Sequence, residues 1–344
     1  MGRKRLRNYG VRCGKFPVGK RNLITDVPGV SVGNFTLVKD NPVMRTGVTV
    51  VFPTKACVYN ERIFASSFVM NGYGKSTGLI QIEELGMLET PIFITSTLNV
   101  GKVWDAAVEY VLSNAKEARS INPVVMECND LRVSQSESRP IGKKEVFKAI
   151  ENASDEFELG NVGAGAGMIT FGFKGGLGSS SRIVGDYTVG TLVVSNFGRK
   201  EDLLGFIEKE PSKKETGSII VIVGTNAPLI PNQLKRIAKR GAIGIMKAGG
   251  KATHSSGDIV LAFSNAVKIP RKADIVDINY IPDDHKIFQD LMDTTIEAVE
   301  EAIYDALLCA EDVTGRDGKL WKAIEPEIII RKLQFNNKAT STGS

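Results

Sequence analysis

The chain has 344 residues, of which 42% are hydrophobic and 24% are charged. This composition is typical of a soluble globular protein, excludes a disordered one, and allows one large domain or two ordinary ones. The net charge of +5 at pH 7 is small for this length and does not indicate an anionic partner. Because no signal peptide or apolar span of transmembrane length is visible, we expect a cytoplasmic protein with no membrane partner.

The densest basic run lies at residues 3–7, with the sequence RKRLR. Such a run could contact nucleic acid or a membrane surface, but the pattern favours a solvated tail. Aromatic residues do not alternate with basic ones in the chain, so we expect no nucleic-acid partner.

Metal-ligating residue types are scarce. No two of the four cysteines have the spacing of a ligand pair, and the only histidines are His254 and His285. We therefore expect no metal and no other cofactor, and free, buried thiols in a reducing compartment.

Strand-like and helix-like segments alternate in the first half of the chain. The β-branched run at residues 48–52 ends at Pro53 and predicts a strand, and the apolar spacing over residues 77–88 predicts a helix with Gly86 near its end. By the same criteria the predicted strands are at 30–37, 91–95 and 124–128, and the other predicted helices are at 105–118 and 143–157.

In the second half, a glycine-rich segment at 161–182 precedes a predicted strand at 187–196. A charged linker at 199–215 then ends abruptly at the most apolar strand of the chain, which begins at Gly217 and Ser218. Further on we predict a strand at 258–263 and helices at 232–248 and 290–310. No second core with its own boundary is visible, so the sequence predicts one α/β domain over residues 1–336 and a disordered tail at 337–344.

Two familiar active-site patterns are absent. Residues 163–167 read Gly-Ala-Gly-Ala-Gly, which lacks the spacing of a dinucleotide fingerprint and instead predicts close backbone packing or close approach of a substrate. No G-x-S-x-G elbow occurs. His254 stands beside Ser255 and Ser256, so a local Ser/His site is an alternative, although an exposed histidine is the favoured interpretation.

The Gly217–Ser218 junction offers a different chemistry. A serine hydroxyl can attack the preceding carbonyl, and hydrolysis of the resulting ester leaves Ser218 as a chain terminus. Its α-amine would have a pKa near ~7.7–8.0, against ~10.4 for lysine, and could act as the base for the hydroxyl of the same residue. A Gly-Ser pair before a strand is common, however, and the junction alone favours an ordinary turn.

An ordered set of segments resembles the DmpA-like family of L-aminopeptidase/D-esterases and β-aminopeptidases. The similarity covers roughly residues 15–310, and the segments are 22–33 (NLITDVPGVSVG), 45–49 (RTGVT), 163–178 (GAGAGM…GFKGGLG), 195–198 (SNFG), 217–221 (GSIIV), 226–229 (NAPL) and 256–264 (SGDIVLAFS).

This resemblance implies a role for five residues. Ser218 matches the nucleophile exposed by self-cleavage after Gly217, and Asn196 matches the amide that stabilises the oxyanion. Ser256 and Asp258 match the Ser-x-Asp/Glu pair around the nucleophile and its amine. Glu127 matches the acid that binds the substrate's ammonium group.

The chain departs from the family pattern at two places. Family members often continue the segment after Glu127 with Asn-Asp-Gly and an aromatic residue, whereas here Asn-Asp is followed by Leu131 and Arg132. Asp258 also replaces a frequent glutamate. These departures leave the choice among L-, D- and β-amino-acid substrates open.

The resemblance further implies an α-β-β-α sandwich that is cleaved into chains 1–217 and 218–344. It also implies a homo-oligomer, namely a tetramer. The expected substrate is a small peptide or an aminoacyl amide or ester. Two alternatives stay open at this point: an acyltransferase that passes the acyl group from Ser218 to an amine, and a structural homologue that never cleaves itself.

Overall fold

Two β-sheets face each other at the centre of the protein, in a computed structural model that describes residues 3–204 and 217–341. Strands are numbered in chain order. Within those ranges the first sheet has the spatial order β1 (Ser31–Asp40), β2 (Val43–Phe52), β5 (Ile92–Ser96), β6 (Val124–Cys128). The second sheet has the order β4 (Met87–Leu88), β3 (Glu61–Gly72), β12 (Ser256–Pro270), β11 (Gly217–Thr225), β10 (Tyr187–Asn196), β9 (Gly176–Val184). Two short pairs complete the set: β7 (Ile169–Thr170) with β8 (Phe173–Lys174), and β13 (Val313–Thr314) with β14 (Leu320–Trp321).

Helices cover the outer faces of both sheets. In chain order they are α1 (Leu79–Leu85), α2 (Val100–Asn114), α3 (Lys143–Glu151), α4 (Lys200–Leu204), α5 (Pro231–Ala248), α6 (Lys286–Leu308) and α7 (Pro326–Ser341). Helices α2 and α3 share an apolar core with the first sheet, and α5 and α6 share one with the second. A third core lies between the two sheets. The α-β-β-α sandwich that the resemblance implies is therefore confirmed.

The position of strand β11 between two apolar cores explains why its sequence is so apolar. Ile220 and Ile222 point into the core between the sheets, whereas Ile219, Val221 and Val223 point into the core shared with the helices. A strand that is buried on both faces needs a continuous apolar run rather than an alternating one. The same burial fixes the register of β11 between its antiparallel neighbour β10 and its parallel neighbour β12.

Several predicted elements agree with the structure and others differ. The strand predicted at 187–196 is β10, and α5 begins one residue before the predicted helix. The helix predicted at 143–157 ends at Glu151, because Ser154 exchanges backbone hydrogen bonds with Val32. The sequence did not predict β3, or β9 within the glycine-rich segment.

The interpretation of residues 3–7 as a solvated tail was wrong. Arg5 Nε donates to Asp305 at 2.7 Å, and Arg7 donates through Nε and Nη2 to both oxygens of Glu301 at 2.9 Å. Leu6 between them is fully buried. The run binds the acidic face of α6, so its charge pattern reflects an internal partner.

The C-terminal helix α7 extends to Ser341 and so includes residues 337–341 of the predicted tail. Ile329 and Leu333 anchor this helix in the core, and an established helix extends at little cost. The last three residues of the predicted tail lie outside the described residues. So do residues 205–216, which form most of the predicted linker.

Two further observations concern cysteines and membranes. All four thiols are free, but only Cys13 and Cys128 are buried, while Cys57 and Cys309 are half-buried. Across residues 3–204 and 217–341, no helix is long and apolar enough to cross a membrane.

Candidate active site

Three adjacent strands bring four of the predicted site residues together. Asn196 is the last residue of β10 and is the antiparallel register partner of Ser218, the second residue of β11. On the other side, Gly217 and Ser218 lie beside Ser256 and Gly257 at the start of the parallel strand β12. Residues far apart in sequence therefore meet at one end of these three inner strands of the second sheet.

Ser256 and Asp258 form a hydrogen-bonded pair within β12. They lie two residues apart and so share one face of the strand, and Ser256 Oγ donates to Asp258 Oδ1 at 2.6 Å. Both side chains are buried. The Asn71 side chain donates to the carbonyl of Ser256 and, at 3.0 Å, to that of Thr253, which fixes the start of the strand.

The amide of Asn196 is held from both sides. Its Oδ1 accepts a hydrogen bond from the backbone N–H of Ile169 at 2.9 Å, and its Nδ2 donates to the carbonyl of Asn129 at 3.0 Å. These two contacts fix which end of the amide is oxygen. Since Nδ2 carries two hydrogens, a second N–H remains to be donated.

Glu127 reaches the same place from the first sheet, near the end of β6. The residue is 5% exposed, and its carboxylate accepts a hydrogen bond from the backbone N–H of Lys75 at 3.0 Å. Burial raises the pKa of Glu127, and the Lys75 N–H opposes that rise. A desolvated carboxylate of this kind gains most from a cation that enters beside it.

A cavity of about 450 Å³ joins these residues. Its lining consists of Tyr73, Lys75, Thr97, Glu127, Asn129, Leu131, Arg132, Asn196, Gly217, Ser218 and Ser255. The Oγ of Ser218 is buried and has no hydrogen-bond partner in the described part of the chain. Ser256 and Asp258 do not line this cavity, and both are buried.

Sequence reasoning missed most of the cavity wall. Tyr73 and Lys75 follow β3, and nothing local in the sequence connects them with β11. Leu131 and Arg132, singled out as a departure from the family pattern, do line the cavity. Their loop turns around Asp130, whose backbone carbonyl accepts from the N–H groups of residues 133 and 134. Burial raises the pKa of the Asp130 carboxyl to about 6.

The glycine-rich segment serves packing. A Cβ on Gly165 would overlap the backbone of Leu177, and one on Gly178 would overlap the carbonyl of Ala302 in α6. Side chains at these positions would separate β9 from its neighbours. The predicted close backbone approach is confirmed here.

Among the described residues, the structure does not bring His254 and Ser256 together as a hydrogen-bonded pair. His254 is exposed, as the sequence favoured, and its ring centroid lies 6.4 Å from that of Tyr73. The Ser256 hydroxyl donates to Asp258 rather than to the imidazole. Over the residues that the structure describes, no group of three or more His, Cys, Asp or Glu side chains could hold a metal ion.

A family model and a related protein that are similar to this chain both point to peptidases. Residues 22–321 match the model of Peptidase family S58. The β-peptidyl aminopeptidase BapA of Sphingosinicella microcystinivorans is 34% identical over 351 residues, which cover 91% of this chain and 88% of that protein.

Solved structures of aminopeptidases have the same fold as this chain. A β-aminopeptidase from Burkholderia sp. superposes with a TM-score of 0.89 at 35% identity, covering 96% of this chain and 99% of the other. The L-aminopeptidase D-Ala-esterase/amidase of Ochrobactrum anthropi, described as a variant of the Ntn hydrolase fold, superposes with a TM-score of 0.86 at 32% identity, covering 97% and 99%.

Proposed function

The chain belongs to peptidase family S58, and we propose that it is a self-processing serine aminopeptidase with Ser218 as its nucleophile. The aminopeptidase names of its relatives support the reaction class. The observation that carries the proposal is the shared cavity. It presents an unpartnered buried hydroxyl, a fixed amide donor and a buried carboxylate to one substrate-sized space.

Self-processing would begin at the Gly217–Ser218 peptide bond. The Ser218 Oγ attacks the Gly217 carbonyl carbon, the C–N bond breaks, and the proton lost by the hydroxyl ends on the released amine. Water then hydrolyses the ester, which leaves a carboxylate on Gly217 and a free α-amine on Ser218. Nucleophile and base are then on one residue.

In turnover, the Ser218 α-amine takes the hydroxyl proton as Oγ attacks the substrate carbonyl. The free N–H of Asn196 would stabilise the oxyanion, and a donor of this kind is worth about 2.7–4 kcal/mol of barrier. The leaving amine takes the proton back, and water hydrolyses the acyl-enzyme. The aminoacyl product leaves with its own amine intact.

We assign Ser256 and Asp258 to the new terminus. The two residues flank Gly257, the register partner of Ser218 on the neighbouring strand, and their side chains are already hydrogen-bonded to each other. A carboxylate and a hydroxyl next to an α-amine can orient its lone pair towards Oγ. Their burial outside the cavity lining fits a role that does not involve direct substrate contact.

Glu127 would select for a free substrate amine. An ammonium group that enters the cavity loses hydration, and pairing with a buried carboxylate compensates for that loss. The pairing also places the scissile carbonyl against Ser218, which lowers the entropic part of the barrier. The cytoplasmic location expected from the sequence and the tetrameric assembly implied by the family resemblance stay predictions.

Glu127→Gln tests this assignment on an aminoacyl amide and on its N-acetylated analogue. Gln can still accept the Lys75 N–H, so the cavity should keep its shape while the charge is lost. We expect wild type to prefer the free amine strongly, and the variant to lose about 10- to 100-fold of that preference, since hydrogen bonds to charged groups are worth ~1.5–3 kcal/mol.

Glu137→Gln is the control, because Glu137 is exposed and pairs with Arg316 outside the cavity. Equal wild-type cleavage of both substrates would rule out an aminopeptidase. An unchanged preference in the Glu127 variant would remove Glu127 from the role. A product that depends on added amine would identify an acyltransferase.

A further inference from the structure

Lys174, at the end of β8, is a fully buried cation outside the roles assigned so far. Its Nζ donates to the carbonyls of Gly165 at 3.2 Å, Met168 at 3.0 Å and Gly175 at 2.6 Å. It makes no ion pair with any described residue. Burial lowers its pKa to about 7, whereas three carbonyl acceptors favour the ammonium form, which alone has three N–H donors.

The segment around this ammonium docks on the end of β10. Its Thr170 hydroxyl donates to the Ser195 carbonyl at 2.6 Å, and the Phe171 N–H donates to the Phe197 carbonyl at 2.8 Å. The rings of Phe171 and Phe197 also pack edge to face. The loop around Lys174 therefore contacts Ser195 and Phe197, the residues on either side of Asn196.

One peptide group joins Lys174 to Asn196. The Met168 carbonyl accepts from Lys174 Nζ, and the N–H of the same peptide group, on Ile169, donates to Asn196 Oδ1. An ammonium that pulls electron density from the carbonyl makes the N–H a stronger donor. That N–H in turn polarises the Asn196 amide and strengthens its Nδ2–H as a donor.

We propose that Lys174 is a positioning residue of the oxyanion site, which orients and polarises Asn196 through the peptide group between Met168 and Ile169. This inference rests on the proposed function, since it needs Asn196 as the oxyanion donor. It explains why a charge lies buried without a carboxylate: the negative charge that it stabilises exists only during the reaction. A carboxylate partner would cancel the polarisation.

The test compares Lys174→Met with Lys174→Gln and with a matched control, Lys332→Met. Gln removes the charge but keeps two N–H donors for the loop carbonyls. If the Met variant does not fold, the Gln variant still measures the effect of losing the charge. Lys332 also donates to two backbone carbonyls, those of Leu203 and Ala248, both at 3.0 Å, and we expect its loss to leave kcat unchanged.

For the Lys174 variants we expect kcat to fall about 2- to 8-fold, which corresponds to a 10–30% weakening of an oxyanion donor worth about 2.7–4 kcal/mol. KM should stay within about twofold, because the ground-state carbonyl gains little from this donor. Affinity for an aminoacyl aldehyde, which forms a tetrahedral adduct on Ser218, should fall by the same factor as kcat. A folded neutral variant with wild-type kcat and aldehyde affinity would overturn the inference.

A double-mutant cycle separates this inference from the proposed function. If Lys174 acts through Asn196, neutralising it in an Asn196→Ala background should lower kcat no further. Additive losses would show a separate structural role and overturn the inference alone. If Asn196→Ala keeps wild-type kcat, the oxyanion assignment fails, and the inference fails with it.

Discussion

Gly217 lies against the backbone at the end of β10, immediately before the proposed nucleophile. A Cβ at this position would overlap the Asn196 carbonyl oxygen and lie 2.9 Å from the Phe197 Cα. Both are backbone atoms, which cannot move aside without shifting β10. A side chain at this position would therefore push the Gly217–Ser218 peptide away from β10.

Gly217→Ala should consequently slow self-cleavage by about 10- to 100-fold, because displacements near 1 Å at a reacting carbonyl have effects of this size. The time course of chain cleavage, followed by intact mass after synthesis, measures the rate. Gly101→Ala is the control, since a Cβ there meets no atom within 4 Å. Cleavage of Gly217→Ala at the wild-type rate would show that the close approach is irrelevant to processing.

At the scale of elements, α6 carries an acidic face inside the protein. Glu297, Glu301 and Asp305 recur at every fourth position and so lie on one side of the helix. Arg182 of β9 donates to Glu297 at 3.3 Å and to Glu301 at 2.7 Å, and the basic residues at 5 and 7 complete the pairing. The helix is thereby tied to the second sheet through buried charge.

Arg182→Met should lower the free energy of unfolding by about 3–5 kcal/mol, since it leaves two carboxylates short of a buried partner. Denaturant unfolding measures this loss. Lys286→Met removes one side of an exposed pair with Asp290 and should change stability by less than ~0.5 kcal/mol. Equal effects of the two substitutions would mean that the buried pairs contribute nothing specific.

At the scale of the whole molecule, the sequence predicted what depends on local pattern. Strand β11 was visible because burial on both faces imposes a continuous apolar run. Strand β3 was not, because it mixes apolar residues with Arg62, Ser66 and Asn71. The basic run at 3–7 has the same composition whether solvated or paired, and only the distant α6 decides between the two.

The candidate site likewise has a part that was predicted from the sequence and a part that was not. The resemblance assigned Ser218 and Asn196 their proposed roles, whereas the junction alone favoured an ordinary turn. Tyr73 and Lys75 enter the cavity through the antiparallel pairing of Gly72 with Gly257, a contact across 185 positions that no local pattern reveals. The link from Lys174 to Asn196 likewise exists only after the loop has folded.

The most direct test of the proposed function is the intact mass of the purified protein, beside that of Ser218→Ala and, as control, Ser113→Ala on the exposed surface of α2. Wild type and the control should each give two associated chains, 1–217 and 218–344, whose masses sum to the precursor plus one water. Ser218→Ala should give one uncut, inactive chain. An uncut wild-type protein with full aminopeptidase activity, or an active Ser218→Ala variant, would contradict the assignment of Ser218 as a self-released nucleophile.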